Sequence, residues 1–120
     1  MKRIVVGGQM EKQRIASLTA RIAGDRASVE TKSDIEAAMA VKNGSADYYF
    51  GACNTGGGGA LAMAIAILGL SQCCTVSMPG NIKSEEEIQA EVKAGKKAFG
   101  FTSQDIDAVV PVILKHILRD

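Results

Sequence analysis

Cys53 to Gly59 reads Cys-Asn-Thr-Gly-Gly-Gly-Gly, the stretch of this 120-residue chain best suited to chemistry. It leads out of an apolar run, Ala46–Ala52, and into a charge-free helical run ending at Leu68. A strand that turns through glycines into a helix presents unpaired backbone N–H groups at the positive end of the helix dipole, an arrangement that favours an anion. Glycines let that backbone approach phosphate oxygens and adopt positive φ. Thr55 adds a hydroxyl donor and Asn54 an amide. No Gly-Lys-Ser/Thr follows, so this is not a P-loop, and strand one carries only Gly7-Gly8 in place of a dinucleotide fingerprint. The expected ligand is therefore an inorganic anion, or a phosphorylated sugar or metabolite, held by Asn54, Thr55, Gly56, Gly57, Gly58 and Gly59. A glycine turn that serves only helix–sheet packing is the competing expectation.

The elements that must position this loop are legible as alternating apolar runs and helical periodicities. Arg3–Gly7 is β-branched and closes on glycines, which predicts a strand. Glu11–Ala23 sets Ile15, Leu18 and Ile22 at helical spacing and stops at Gly24. Ala27–Glu30 predicts a short second strand. Ser33 with Glu36 reads as a capping box for a helix through Ile35, Ala38, Met39 and Val41 to Asn43-Gly44. Ala46–Ala52 is the third strand and Gly57–Leu68 the third helix. Cys73–Met78 is the fourth strand, ended by Pro79-Gly80. Ser84 caps a fourth helix with Glu85, Glu86 and Glu87 in its first turn, and Gly95 stops it. Ala98–Thr102 is the fifth strand. Ser103 caps a last helix that Pro111 should kink or restart.

Strands each followed by a helix imply the α/β class: a single domain over residues 1–120, a three-layer αβα sandwich around a five-stranded parallel sheet. The expected strand order is flavodoxin-like, 2-1-3-4-5, with a Rossmann-like order as the alternative. Such sheets bind ligands beyond the carboxyl ends of their strands, where the order reverses. That edge collects Gly8 and Gln9 after strand one, Cys53–Gly59 after strand three, and Pro79, Gly80 and Asn81 after strand four. Lys12, Lys32 and Lys83 fall on it too, whereas Lys93, Lys96 and Lys97 precede strand five on the opposite edge.

The third helix is apolar all round from Ala60 to Leu68, and a helix apolar all round is buried all round. One face can cover the sheet; the other calls for a second copy of the chain, so a homo-oligomer through residues 60–68 is expected. Net charge is +1 and aromatics make up 4%, which argues against nucleic acid. The charge-free stretch Tyr48–Ile82 is broken by Gly, Asn, Thr, Ser, Gln and Pro, so no membrane span is expected. Three cysteines without an export signal fit reduced thiols in the cytoplasm. Cys73 and Cys74 are adjacent in a strand, point to opposite faces and read as buried filling. His116, among Ile113, Leu114, Ile117 and Leu118, reads as a helix-face residue near a C-terminus. No Cys/His spacing suggests a metal, and no cofactor is implied.

Two resemblances rest on these residues. Over nearly the whole chain, "DIEAAMAVKNGSADYYFGACNTGGGGALAMAIAILG", "CCTVSMPG" and "KKAFGFT" resemble the YhfU-like family of small bacterial proteins. Locally, Cys53-Asn54-Thr55-Gly56-Gly57-Gly58 is similar to the Cys-x-Thr-Gly-x-Gly pattern of type B ribose phosphate isomerases and galactose phosphate isomerase subunits. That resemblance implies Cys53 as the base that moves a proton between sugar carbons. Thr55 and the glycines would hold substrate and oxyanion, and the following helix would pack at a dimer interface. A thiol near a helix N-terminus can act as a base near neutral pH, and an enediolate needs backbone N–H donors. The chain departs from the pattern after strand one, where Gly7-Gly8-Gln9-Met10 replaces an Asp-His pair. Binding without turnover is accordingly the first expectation, isomerase-like catalysis the second, and a structural assembly subunit the third.

Overall fold

The computed structural model describes residues 1–54 and 58–119. In chain order they form β1 (Lys2–Gly8), α1 (Lys12–Ala23), β2 (Ala27–Thr31), α2 (Asp34–Lys42), β3 (Tyr48–Cys53), α3 (Gly58–Leu68), β4 (Cys73–Thr75), β5 (Ser77–Met78), β6 (Asn81–Ile82), α4 (Glu85–Lys93), β7 (Ala98–Thr102) and α5 (Ile106–Ile117). Five strands make one parallel sheet, and β5 and β6 form a separate antiparallel hairpin.

Side chains alternate across the sheet and split the core in two. Ile4, Val6, Phe50, Cys74, Phe99 and Phe101 turn toward α1, α4 and α5. Val5, Tyr49, Cys73 and Ala98 turn toward α2 and α3. Cys73 and Cys74 thus enter opposite layers. The protein is an α/β three-layer sandwich with an all-parallel sheet.

The strand order is β2-β1-β3-β7-β4. The expected 2-1-3-4-5 order is met in its first three positions and exchanged in its last two. Composition gives the reason. All five residues of β7 are buried, whereas β4 is only three residues long. An apolar strand is stable between two neighbours, and a very short strand is a safe edge.

Local departures from the expected elements also have causes. The fourth strand is cut at Thr75 because Pro79-Gly80, with Gly80 at φ 76°, folds Ser77–Ile82 into its own hairpin. Glu11 stands outside α1 as a left-handed N-cap at φ 58°. Ser103 begins a 3-10 turn rather than capping α5, whose N-cap is Asp105. α5 runs through Pro111 without a break. Proline there removes the amide that would meet the carbonyl of Asp107, an exposed residue whose carbonyl can turn to water.

Register brings three glycines into line across the sheet centre: Gly7 pairs with Gly51, and Gly51 with Gly100. They lie on the α2–α3 side, in step with Val5, Tyr49 and Ala98. Gly7 lies one residue from the carboxyl end of its strand, and Gly51 and Gly100 two residues from theirs.

Candidate functional site

β1 and β3 are neighbours, yet β1 leads through α1 on one face and β3 through α3 on the other. Their carboxyl ends therefore diverge at the switch point of the sheet, where folds of this class hold their ligand crevice. Gly8, at φ 81°, carries the chain out of β1 so close to β3 that a Cβ there would meet the Ala52 amide nitrogen at 2.8 Å. The next two amides, of Gln9 and Met10, both donate to the Ala52 carbonyl, at 3.2 and 3.3 Å. This turn aims the Gln9 side chain at the start of α3. A Cβ on Gly59 would stand 3.0 Å from Gln9 Oε1 and 3.5 Å from Cys53 Cβ.

Of the expected site residues, Gly8, Gln9, Cys53 and Gly59 are thus brought together. Cys53 is buried, and Asn54 is exposed in the bend that follows it. Gly58 opens α3. Thr55, Gly56 and Gly57 lie outside the described residues. Pro79 and Gly80 form the tip of the β5–β6 hairpin, and Asn81 begins its return arm. The hairpin's recorded bonds lead to neighbours of β4 and β7: Lys83 N–H donates to Val76 O at 3.0 Å, and Thr102 N–H to Ser77 Oγ at 3.0 Å.

Electrostatics differ among the helix starts. α2 and α4 each carry a complete capping box, Ser33 with Glu36 and Ser84 with Glu87, and acidic residues fill their first turns. α1 has no side-chain cap and no acidic residue in its first turn; the first turn of α3 carries no acidic residue either. Neither helix that starts at the switch point has an acidic first turn, although Glu11 is the N-cap of α1, whereas α2, α4 and α5 each have one. Lys12 donates through Nζ to the Lys32 carbonyl at 2.7 Å, which gathers two of the three edge lysines beside β1 and β2. Lys83 follows the hairpin on the far side of the sheet.

Sequence reading missed Tyr49. It is fully buried, and its ring lies against Gly7 and Gly51, where added Cβ atoms would meet it at 2.7 and 3.0 Å. Burial raises its pKa, the Asp34 charge adds to that, and a backbone hydrogen bond from Gly8 opposes it. It is a neutral phenol at the switch point. Repeated glycines in "VVGG", "YFGA" and "AFGF" are its only sequence signal. A second unread group lies across from Cys53, which pairs with Thr102: Ser77 Oγ accepts the Thr102 amide, and the Thr102 hydroxyl donates to Asp105.

His116 stands in the last turn of α5 and is buried, with Nε2 3.1 Å from Glu85 Oε2. Among the described residues, no group of three or more His, Cys, Asp or Glu side chains is placed to hold a metal ion. No helix of the described residues is long and apolar enough to cross a membrane.

The fold defines an α/β three-layer sandwich with glycines gathered at the switch point of its sheet. A family model described as "Protein of unknown function DUF2620" matches residues 2–117, and the chain belongs to that family. Three relatives bear the name "Uncharacterized protein YhfU", from Escherichia coli K12, Escherichia coli O6:H1 and Shigella flexneri. Each is 38% identical over 117 residues, covering 98% of this chain and 99% of the relative. No solved structure matches the chain.

Proposed function

We propose that this protein binds phosphate, or a phosphorylated sugar or metabolite, at the switch-point crevice, as a cytoplasmic binding protein. The observation that carries this reading is the meeting of Gln9, Cys53 and Gly59 beneath a helix whose first turn has no acidic residue. An anion there would meet the positive end of α3 and face a side-chain amide. α2 and α4 supply that negative charge from their own glutamates; the crevice leaves it to a ligand. The alternative is isomerase-like proton transfer with Cys53 as base, favoured by the place of Cys53 at the same helix start. A purely structural role for the glycines is the remaining alternative.

Self-association belongs to the same proposal. α3 carries no polar side chain; Ala60, Leu61 and Ala64 are buried and Ala62, Met63 and Ala66 exposed, while α2, which packs against α3, exposes Ile35 and Met39. A second copy would cover that apolar face.

The test is thermal melting against inorganic phosphate, a panel of sugar phosphates, and nucleotides. A ligand at 100 times its dissociation constant adds about 2.7 kcal/mol. In a chain of this length that raises the melting temperature by roughly ten degrees. A shift lost in a folded Gly59→Val variant supports the crevice. Turnover lost in Cys53→Ser with binding intact would favour the isomerase alternative. No shift with any anion would sink both and leave the structural one.

A further inference from the structure

The opposite edge of the sheet carries a cluster that the switch-point reading does not use. Lys2 opens β1, Tyr48 opens β3, and Lys96 and Lys97 directly precede β7, so all four stand at the amino ends of neighbouring strands. They line a cavity of about 240 Å³ together with Asp47 and Gly95. A larger cavity, of about 460 Å³, adjoins it and shares Lys2 and Asp47.

Charge in the smaller cavity is unbalanced. Its single carboxylate, Asp47, is already committed: Oδ2 accepts from the Arg3 amide at 2.7 Å and Nε at 3.2 Å, and Oδ1 from Nη2 at 3.1 Å. The guanidinium holds the Asp47 carboxyl below its usual range. Among the described residues none of Lys2, Lys96 and Lys97 has an ion-pair partner, and no ammonium of the three donates a hydrogen bond. Among the described residues the hydroxyl of Tyr48, half-buried between them, makes no hydrogen bond.

Basic residues often gather where helices end, because they complement the helix dipole. That explanation fits Arg26, which donates to the carbonyls of Ala23 and Ile22 after α1, and Lys42, which donates to Ile67. It does not fit these three lysines. The last carbonyls of α4 are taken by backbone amides: Ala94 donates to Ala90, Gly95 to Val92 and Lys96 to Glu91. The amide of Lys97 is spent on Gln72. What remains unspent in the cavity is side-chain donor capacity: three ammonium groups and a phenol.

We propose that Lys2, Lys96 and Lys97 form a second anion site, which takes a small multiply charged anion, phosphoryl or polycarboxylate, with the Tyr48 hydroxyl as a further donor. The cavity lies below the roughly 300–1,000 Å³ of drug-sized pockets, which suits a small anion rather than a nucleotide. Three cations against one carboxylate that Arg3 already holds, two of them half-buried at Lys2 and Lys96, favour a di- or trianion over a monoanion.

The test is amide chemical-shift titration of the whole chain with inorganic pyrophosphate and, separately, citrate. Saturable shifts are expected at Lys2, Tyr48, Lys96 and Lys97, with affinity falling as salt rises from about 20 to 200 mM. Affinity should weaken about tenfold or more in the Lys96→Gln/Lys97→Gln double variant and in Lys2→Gln, since each removes charge facing the anion. Response to pyrophosphate alone assigns a phosphoryl ligand, and to citrate alone a polycarboxylate. Shifts confined to Gln9 and Gly59, no saturable shift at the amino edge, or unchanged affinity in both variants would overturn the proposal.

Discussion

The Tyr49 hydroxyl donates to the Ala60 carbonyl at 2.7 Å, tying the second residue of β3 to the first turn of α3. Its ring reaches that far only because Gly7 and Gly51, paired across β1 and β3, have no side chains beneath it. The helix start that forms one wall of the crevice is therefore fixed from the core of the sheet. Tyr49 is a positioning residue: it sets where α3 begins without itself facing solvent.

Gly7→Ala is expected to destabilise the fold by about 1–3 kcal/mol, because the new Cβ would stand 2.7 Å from Tyr49 Cε2 and 3.1 Å from Ala37 Cβ. The effect should shrink by about 1 kcal/mol or more in a Tyr49→Ala background, where the ring no longer competes for the space. Urea unfolding of the four proteins measures this coupling. Strict additivity would show that the ring does not rest on Gly7.

The class of fold was legible because β-branched runs, capping boxes and glycine stops agree with one another from end to end. The Ser33–Glu36 box was readable by spacing and forms, and Ser84, readable as a cap, forms a second box with Glu87. Strand order was not, because it depends on which of two apolar strands wins the interior, and only length and burial decide between "CCT" and "AFGFT". The crevice was half readable. A glycine-rich strand end marks the place, and Gln9 directly follows Gly7-Gly8. Tyr49 and the line of Gly7, Gly51 and Gly100 depend on register, which no local pattern encodes. Lys96 and Lys97 could be placed on the amino edge from their position before the fifth strand, but Lys2 joins them only through strand pairing, and Arg3's claim on Asp47 spans 44 residues of sequence.

Acid should weaken the fold through carboxylates that are better held folded than unfolded. Arg3 holds Asp47 below its usual range, Ser33 holds Glu36 and Ser84 holds Glu87 by hydrogen bonds, and Lys115 holds Glu85 ahead of His116. Each folded pKa lies below the unfolded one. The stabilisation is complete above the ordinary values of 3.8 for Asp and 4.5 for Glu, and is lost as pH falls through the folded values. Urea midpoints should be level near neutrality and fall below about pH 5. Asp47→Asn should be weaker than wild type at pH 7 and converge with it near pH 3. Parallel curves would show that Asp47 does not carry the acid response.

Cys73 and Cys74 should be silent toward thiol reagents in the folded protein. Burial raises the Cys73 thiol, and burial with the nearby Glu91 pushes Cys74 up to about 12. At pH 8 the thiolate fraction of Cys74 is then on the order of one in ten thousand, and the thiolate is the reactive form. In a Cys53→Ser variant, iodoacetamide at pH 8 should add no label to the native chain by intact mass, and two labels in denaturant. Labelling of native protein would show that β4, the edge strand, opens locally.

Gly59→Ala separates fold from function at the crevice. Within a helix this change favours folding by up to about 1 kcal/mol. Its new Cβ would meet Oε1 of Gln9 at 3.0 Å and Cδ at 3.3 Å, the mobile end of a side chain that can swing aside. Stability should therefore hold or rise, while the phosphate-induced melting shift falls, since the displaced amide and the added methyl take up the space beneath α3. Adding Gln9→Ala restores room but removes the amide donor, so binding should recover only in part. If Gly59→Ala keeps the full ligand shift, the anion lies elsewhere and Gly59 is a packing glycine. If it unfolds the chain instead, Gln9 is held more rigidly than its place at a loop end implies.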